Sequence, residues 1–249
     1  MSAEEPSGGQ RALVACSELF KQYGEGEAQV IALDRVTVEF PRGQFAAIMG
    51  PSGSGKSTLM HLLAGLDRPT SGTVRIGDAE LAQLDDSALT KLRRDRIGFI
   101  FQTFNLLPVL TAEENIVLPL SIAGREPDRE WLEKLIETVG MRDRLDHRPS
   151  ELSGGQQQRV AVARALVSRP DVLFADEPSG NLDSKASADV LDLLRHAADD
   201  FGQTVVMVTH DAHAASYADR LLILEDGKIV HDGGHASTDE ALDLMKSVG

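Results

Sequence analysis

The stretch that most constrains the fold is a glycine-rich segment between an apolar run and a run of helix formers. Residues 50–58 read Gly-Pro-Ser-Gly-Ser-Gly-Lys-Ser-Thr and match the phosphate-loop pattern G-x-x-x-x-G-K-[ST]. Phe45–Met49 before it has the apolar character of a buried strand, and residues 59–64 after it favour a helix that stops at Gly65. The alternative is a glycine-rich turn that matches by chance. The strand and helix on either side favour the phosphate loop.

The residue types of this loop suit phosphate binding. Backbone N–H groups of a glycine-rich loop point inward at a phosphate, and the helix N-terminus adds positive potential. We expect Lys56 to neutralise β- and γ-phosphate oxygens and the Ser57 hydroxyl to bind Mg²⁺. The motif therefore predicts a nucleotide site. The loop residues expected to contact ATP are Gly50, Ser52, Gly53, Ser54, Gly55, Lys56, Ser57 and Thr58.

A second part of the site is predicted where another apolar run ends in two acidic residues. The run Val-Leu-Phe-Ala leads into Asp176 and Glu177. In phosphate-loop enzymes the first such acid helps to hold Mg²⁺, a role that we assign to Asp176. Glu177 is then expected to orient or deprotonate the attacking water. The alternative is an acidic turn before Pro178.

A second anion site is predicted about a hundred residues after the phosphate loop. Ser153 with Gln156 three residues later forms a capping-box pattern, so a helix is expected to begin there. The N–H groups of that helix start, with the backbone of Gly154 and Gly155, suit an anion. A plain helix cap is the alternative interpretation.

The charge and cysteine content exclude several classes of protein. The 249 residues contain 25 Lys and Arg against 39 Asp and Glu, a formal net charge of -14, which argues against a nucleic-acid binder. The single cysteine, Cys16, rules out an internal disulfide and fits a reducing compartment.

The first ten residues lack an apolar run and are expected to be a disordered leader, not a signal peptide. No stretch approaches the ~20 apolar residues of a membrane span.

The remaining pattern predicts an α/β fold with two smaller parts beside the nucleotide core. Short strand-like runs between residues 11 and 44, with another at residues 72–77, indicate a small antiparallel layer. Residues 103–150 turn helical, with a capping box at Thr111 and an apolar stripe that ends at Gly140. Strands then alternate with helices, which indicates a mainly parallel sheet. The expected divisions are a leader (1–10), an ATPase domain (11–232) with a helical subdomain (about 103–165), and a C-terminal tail (233–249).

The motifs together resemble the ATP-binding subunit of ATP-binding-cassette (ABC) transporters, from about Leu13 to Val230. They are GPSGSGKST at 50–58, Gln102, LSGGQQQR at 152–159, VLFADEP at 172–178, SGNLD at 179–183 and His210. The finer match resembles the branch for lipoprotein release, macrolide or peptide export and cell division. The resemblance implies a P-loop NTPase (RecA-like) core, with the antiparallel and helical subdomains as additions to it.

The resemblance also implies roles for particular residues. Two subunits would enclose two ATP molecules, each held between the phosphate loop of one chain and residues 153–156 of the other. Gln102 would approach Mg²⁺ and the attacking water, His210 would hydrogen-bond the γ-phosphate, and Asp183 would help the two sites communicate. Tyr23 would stack on adenine, although an aromatic packed under a loop is the alternative. Because no key position departs from the family pattern, an active ATPase is expected. The residues predicted to be catalytic are Glu177, His210 and Gln102. ATP is expected to be bound by the loop residues named above and by Tyr23, Ser153, Gly154, Gly155, Gln156 and Asp183. The expected Mg²⁺ ligands are Ser57, Gln102 and Asp176.

The expected partners are a second copy of the chain and a membrane permease. The segment from Phe99 to Pro108 carries several apolar residues around Gln102, and in the resembling family this region receives the permease. Subdomain core is the other interpretation, and we expect the part from Phe104 to Leu107 to be partly exposed. The chain would then lie in the cytoplasm, peripheral on the inner face of the membrane.

Two other classes compete with this interpretation. A soluble ABC ATPase acting on ribosomes or DNA would usually have two cassettes or a long coiled-coil insertion and basic surfaces, which this sequence lacks. An unrelated phosphate-loop GTPase or kinase leaves the LSGGQ motif unexplained. Control of cell division through a membrane partner stays open as a non-transport role. The cargo cannot be read from the sequence.

Overall fold

The computed structural model describes residues 12–24 and 26–248, so the predicted leader lies outside the described residues. Ten strands and eight α-helices occur in the described part of the chain. In chain order they are β1 (Val14–Tyr23), β2 (Val30–Phe40), β3 (Phe45–Met49), α1 (Lys56–Leu63), β4 (Ser71–Ile76), β5 (Ala79–Glu80), α2 (Asp86–Arg96), β6 (Ile97–Phe101), α3 (Ala112–Ile122), α4 (Arg129–Thr138), α5 (Gly154–Leu166), β7 (Val172–Asp176), α6 (Ser184–Phe201), β8 (Thr204–Val208), α7 (Ala212–Ala215), β9 (Arg220–Glu225), β10 (Lys228–Gly234) and α8 (Thr238–Lys246).

A six-stranded sheet forms the centre of the molecule, in the order β10-β9-β3-β8-β7-β6. Its pairs from β9 to β6 are parallel, and β10 joins the edge antiparallel to β9. Strands β3 and β8 are buried along their whole length, as expected for a parallel sheet covered on both faces. The α/β fold predicted from the sequence is confirmed.

Alternate residues of β3 belong to different apolar clusters, because successive side chains of a strand point to opposite faces. Phe45, Ala47 and Met49 pack in one cluster with residues of α3 to α6. Ala46 and Ile48 pack in the other, with α1 and the antiparallel strands. The central sheet therefore separates two cores and is held from both sides.

The predicted antiparallel layer is a four-stranded sheet in the order β2-β1-β4-β5. All three of its pairings are antiparallel. Its inner face, which includes Leu19, Val38 and Phe40, packs in the same cluster as α1. This layer therefore covers the helix that follows the phosphate loop.

The helical part contains α3, α4 and α5. Helix α3 has the predicted capping box, in which Thr111 and Glu114 exchange side chain-to-backbone hydrogen bonds. Asp128 caps α4. As predicted, Ser153 with Gln156 forms a capping box at the start of α5. Helix α5 packs against α3, α4, α6 and β6, so it joins the helical part to the central sheet.

The C-terminal segment is integrated with the rest of the molecule. The predicted boundary between residues 232 and 233 falls inside β10, and α8 packs against α7 and β9. Ala236 and Ala241 lie in the core cluster that contains Phe45, Ala47 and Met49. Among the described residues, no α-helix combines the length and apolar character needed to cross a bilayer.

Candidate functional site

The carboxyl ends of four parallel strands lie side by side and define one edge of the central sheet. Phe101 pairs with Asp176, and Asp176 pairs with Val208. Val208 also pairs with Ile48 of β3. The residues that follow these strand ends therefore line the same edge, where ligands of open α/β sheets bind. They are Gly50, Gln102, Glu177, Thr209 and His210.

The phosphate loop at this edge has the backbone of an anion cradle. A β-carbon on Gly50 would lie 2.0 Å from the Leu224 carbonyl oxygen, and one on Gly55 would lie 2.3 Å from that of Ala32. Both glycines also have positive φ values of 151° and 102°, so side chains are excluded there. The Ser54 hydroxyl is buried without a hydrogen-bond partner in the described structure. An orphaned hydroxyl in a glycine loop fits a bound anion.

Lys56, the first residue of α1, points back across the loop. Its Nζ donates to the carbonyl oxygens of Gly50 at 2.9 Å and Pro51 at 2.8 Å. An ammonium has three donors, so one remains for a ligand. Burial lowers the pKa of Lys56, and the nearby carboxylates of Glu177 and Asp176 oppose that shift. The ammonium therefore lies close to both acidic residues of the site.

Asp176 is the last residue of β7. Burial raises the pKa of Asp176, with the nearby His61 opposing the shift and Glu177 adding to it. The Ser57 hydroxyl also hydrogen-bonds the carboxylate and lowers its pKa. Two of the three predicted Mg²⁺ ligands, Ser57 and Asp176, thus adjoin. The described residues contain no cluster of three or more His, Cys, Asp and Glu suited to a metal.

Glu177 is held by the strand next to its own. Its backbone has a φ of 47°, and its N–H donates to the Val208 carbonyl at 2.9 Å. The Glu177 carboxylate lies 2.8 Å from Nδ1 of His210 and accepts from the Thr209 hydroxyl at 3.4 Å. The structure therefore brings together two residues predicted as catalytic, and adds Thr209, which the sequence did not single out.

Gln102 lies at the next strand end and is tied to the loop after β7. Its side-chain Nε2 donates to Oδ1 of Asn181 at 3.3 Å, and Nδ2 of Asn181 donates back to the Gln102 carbonyl at 3.0 Å. A β-carbon on Gly180 would lie 2.8 Å from the Gln102 amide nitrogen. The polar pair with Asn181 was not predicted. The side chain of Gln102 rests on the SGNLD segment in this conformation.

The second predicted anion site lies at the N-terminus of α5. The backbone N–H of Ser153 donates to Oε1 of Gln156 at 2.9 Å, and the Gln156 N–H donates to the Ser153 hydroxyl at 3.3 Å. A β-carbon on Gly155 would lie 2.9 Å from that of Ala186, so the helix start packs closely on α6. Since α5 packs against α3, α4, α6 and β6, this site is built on the helical side, whereas the phosphate loop begins α1.

Two other predicted residues have clear local partners. The Asp183 carboxylate caps α6 by accepting from the N–H groups of Lys185 at 3.1 Å and Ala186 at 2.9 Å. Tyr23 ends β1, and 43% of it is exposed. Its hydroxyl donates to Oδ2 of Asp67 at 2.8 Å. A face of the Tyr23 ring thus stays accessible, while its hydroxyl is fixed.

The segment after Gln102 is shaped by two side chains that the sequence did not reveal. Phe104 and Asn105 have φ values of 58° and 51°. Arg164 of α5 donates to both of their carbonyl oxygens, at 2.7 Å and 2.5 Å. Asn115 is fully buried and holds Leu107 through hydrogen bonds to its N–H at 2.8 Å and its carbonyl at 3.1 Å. The left-handed backbone of this segment is therefore stabilised by hydrogen bonds from buried or half-buried side chains.

Comparisons with known proteins identify the family. The pattern of the ABC transporter family matches residues 33–180, more than half of the chain. The chain therefore belongs to the ABC transporter family. The relatives below show which part of such proteins it corresponds to.

Three curated relatives illustrate the match. An uncharacterized ABC transporter ATP-binding protein of Methanocaldococcus jannaschii is 45% identical over 87% of this chain and 95% of its own length. The lipoprotein-releasing system ATP-binding protein LolD of Geobacter metallireducens is 47% identical over 88% of this chain and 99% of its own length. The macrolide export ATP-binding/permease protein MacB of Marinobacter nauticus is 45% identical over 90% of this chain. This chain spans only 35% of that last relative.

Solved structures agree with these relatives. The same archaeal cassette, in a dimeric post-hydrolysis state bound to ADP and Pi, aligns with a TM-score of 0.80 and 43% identity, over 90% of this chain and 99% of that one. A cassette from a Clostridium perfringens transporter complex aligns with a TM-score of 0.81 at 26% identity, over 94% of this chain and 91% of its own. The chain is an ATP-binding-cassette ATPase, which confirms the predicted fold, ATP binding and enzyme class.

Proposed function

We propose that two copies of this chain enclose two MgATP molecules and drive a membrane permease. The observation that carries the proposal is the single sheet edge where the phosphate loop, both acidic residues, Gln102 and His210 follow adjacent parallel strands. The family and the dimeric state of a similar cassette support the same arrangement.

In the proposed reaction, the loop N–H groups and the Lys56 ammonium bind the β- and γ-phosphates. Ser57, Asp176 and Gln102 would hold a Mg²⁺ ion, which would neutralise phosphate charge. Glu177 accepts a proton from the water that attacks the γ-phosphorus, while the bond between that phosphorus and the bridging oxygen of ADP breaks. His210 orients the Glu177 carboxylate and donates to the γ-phosphate.

The second anion site acts on the nucleotide of the other copy in this proposal. Ser153, Gly154, Gly155 and Gln156 lie on the helical side of the chain, away from the helix that begins at Lys56. A dimer arranged head to tail brings them to the γ-phosphate of the partner. ATP then favours the closed dimer and its hydrolysis removes the contact, which is a population shift by differential binding. Asp183, beside this site, links the two.

The permease would dock on the segment after Gln102. Leu107 is 44% exposed and Val109 is 73% exposed, and Ile122 at the end of α3 is 72% exposed. Leu106, by contrast, packs partly buried against the core. The exposed apolar side chains suit a protein partner. Docking there places the chain on the inner face of the membrane, as a peripheral subunit.

The cargo class follows from the relatives rather than from the chain. Curated relatives carry the names of macrolide export and of lipoprotein release. We therefore propose export or extraction of lipoproteins, peptides or macrolide-like substrates. Control of cell division through a membrane partner is the second candidate, because it would use the same ATPase.

The test uses a variant that binds ATP without hydrolysing it. Glu177→Gln should lower ATP hydrolysis by about 10²- to 10⁴-fold. Held in MgATP, it should co-purify a permease with few spans and a large extracytoplasmic domain from detergent-solubilised membranes. The added change Val109→Asp should release that permease while ATP binding persists. Recovery of ribosomes or soluble proteins alone would contradict the transport proposal.

A further inference from the structure

Tyr23 belongs to a compact polar cluster that the nucleotide site described above does not explain. We call it the Tyr23 cluster: Lys21, Tyr23 and Asp67. The Tyr23 hydroxyl donates to Asp67 at 2.8 Å, and the Lys21 ammonium lies 4.7 Å from the centroid of the Tyr23 ring. The aromatic ring is therefore fixed by contacts both at its hydroxyl and at one face.

The Lys21 ammonium of this cluster is nearly enclosed, whereas the Asp67 side chain is 34% exposed. Lys21 is 9% exposed. A lysine that is buried to this extent normally has a partner for its charge. Its ammonium donates to Asp67 at 2.9 Å and to the Arg68 carbonyl at 2.7 Å. The Asp67 carboxylate also accepts from the Arg68 N–H at 2.7 Å. These bonds hold the pKa of Asp67 below its usual value despite its burial, so the carboxylate is a rigid acceptor for the Tyr23 hydroxyl.

The cluster joins the ring to the phosphate loop through α1. Asp67 comes shortly after α1, the helix that Lys56 begins, and the Leu66 N–H donates to the His61 carbonyl of that helix at 2.8 Å. Burial raises the pKa of Tyr23, as does its bond to Asp67, while a hydrogen bond with Thr58 opposes the shift. Through Asp67, the ring is thus tied to the segment that follows the helix carrying the phosphate-binding lysine.

We propose that Asp67 and Lys21 are positioning residues that hold the Tyr23 ring at a fixed distance from the phosphate loop, so that it stacks on the base of bound ATP. This inference rests on the proposed function, in which Tyr23 contacts the base. A ring fixed before binding loses less conformational freedom when the nucleotide arrives. The cluster then strengthens binding of the base and contributes nothing to binding of the phosphates.

The experiment separates the base from the phosphates. The full chain carrying Glu177→Gln is titrated with MgATP and, separately, with inorganic triphosphate and Mg²⁺, which has the phosphates but no base. Tyr23→Phe keeps the ring and removes the hydroxyl, Asp67→Asn removes the charge that holds Lys21, and Tyr23→Ala removes the ring. Arg68→Ala is the matched control, because that side chain pairs with the exposed Asp86 while its backbone makes the cluster contacts.

We expect Tyr23→Phe and Asp67→Asn each to weaken ATP about 3- to 10-fold. The double variant should be no weaker than the worse single one, since both remove the same contact. Triphosphate affinity should stay unchanged in every variant, and Arg68→Ala should bind both ligands normally. Weaker binding of ATP with unchanged binding of triphosphate requires an effect that acts through the base. A general loss of folding would weaken the binding of both ligands.

The contrary outcomes are distinct. If Tyr23→Ala leaves ATP affinity unchanged, base stacking itself is wrong and the proposed role of Tyr23 falls with the inference. If Tyr23→Ala weakens ATP but Asp67→Asn and Tyr23→Phe do not, the positioning role alone is overturned. Equal weakening of ATP and triphosphate in Asp67→Asn would make the cluster a structural support of the loop and also overturn the inference.

Discussion

Nδ1 of His210 lies 2.8 Å from Oε1 of Glu177, although the two residues follow different strands. The Glu177 side chain is 17% exposed and that of His210 is 70% exposed. The largely buried Glu177 carboxylate is therefore held by the exposed imidazole of His210. The pairing gives His210 a function through Glu177 in addition to its proposed contact with phosphate.

His210→Ala should lower the rate of ATP hydrolysis about 10²-fold, because the change removes one positioned donor and frees the Glu177 carboxylate. The affinity for ATP should change little, so the loss appears in kcat. His213→Ala is the control, since His213 is an exposed histidine three residues along that contacts Tyr217. Equal losses in both variants, measured as steady-state ATPase activity, would contradict the assigned role.

Asn115→Ala should destabilise the fold by about 2–4 kcal/mol, because it removes hydrogen bonds from a fully buried amide and leaves backbone groups unsatisfied. Besides Leu107, the Asn115 side chain donates to the carbonyls of Leu110 at 3.3 Å and Thr111 at 2.9 Å. Urea unfolding measures the change. Glu113→Ala on the exposed side of α3 should cost far less, and a similar cost would contradict the role given to the buried hydrogen bonds of Asn115.

Hydrogen exchange locates the same effect within the chain. Amides of residues 103–110 should exchange faster in Asn115→Ala, while those of the central strands keep their protection at low denaturant. If docking of the permease needs the ordered segment, the variant should also lose the partner captured by Glu177→Gln. Unchanged exchange at residues 103–110 would contradict the role given to Asn115.

The sequence predicted the elements whose signals are local. The phosphate loop, the strand ending at Asp176 and the capping boxes at Thr111 and Ser153 each depend on residues within a short window, and the structure confirms these elements. The contacts that shape the site were not predictable in this way. Asn181 meets Gln102 across 79 positions, and Tyr23 meets Asp67 across 44. Such pairs depend on the final packing of the sheets.

Buried polar residues were the hardest to interpret from the sequence. Gln158 occurs in the LSGGQQQR run, yet its role is visible only in the fold, where its amide donates to the carbonyls of Phe101 and Pro178. Arg164 occurs in the apolar second half of α5, and its two acceptors lie about 60 positions away. Burial lowers the pKa of Arg164. A polar residue inside an apolar stripe is the one signal that indicates such contacts.

Asp171→Asn should destabilise the chain by about 1–2 kcal/mol at neutral pH, because it weakens two charge-assisted hydrogen bonds. Asp171 accepts from Arg96 at 2.5 Å and from Arg42 at 3.1 Å. Burial raises the pKa of Asp171, but these two arginines outweigh it and leave the pKa below 3.8. The pairing joins the start of β7 to the turn before β3 and the end of α2.

The pH dependence of this effect has a definite sign. Since the folded pKa lies below the unfolded one, the stability from Asp171 is complete above about pH 4 and is lost as the pH falls through the folded pKa. The stability difference between wild type and Asp171→Asn, from urea unfolding at several pH values, should therefore be constant near neutrality and shrink in acid. Asp243→Asn, on an exposed pair with Lys246, should show almost no difference.

Mixing two inactive variants tests whether each ATP is shared between two copies. Lys56→Ala removes the phosphate-binding ammonium, and Ser153→Arg blocks the start of α5, so each variant alone should lose ATPase activity. In a mixed dimer, one site combines an intact phosphate loop with an intact α5 N-terminus, so activity should reappear on mixing. Gly55→Ala paired with Lys56→Ala is the control, because a β-carbon at Gly55 would meet the Ala32 carbonyl oxygen and both changes lie in the same loop, which leaves no intact composite site. No recovery on mixing, with dimers shown to exchange subunits, would mean that residues 153–156 serve the nucleotide of their own chain.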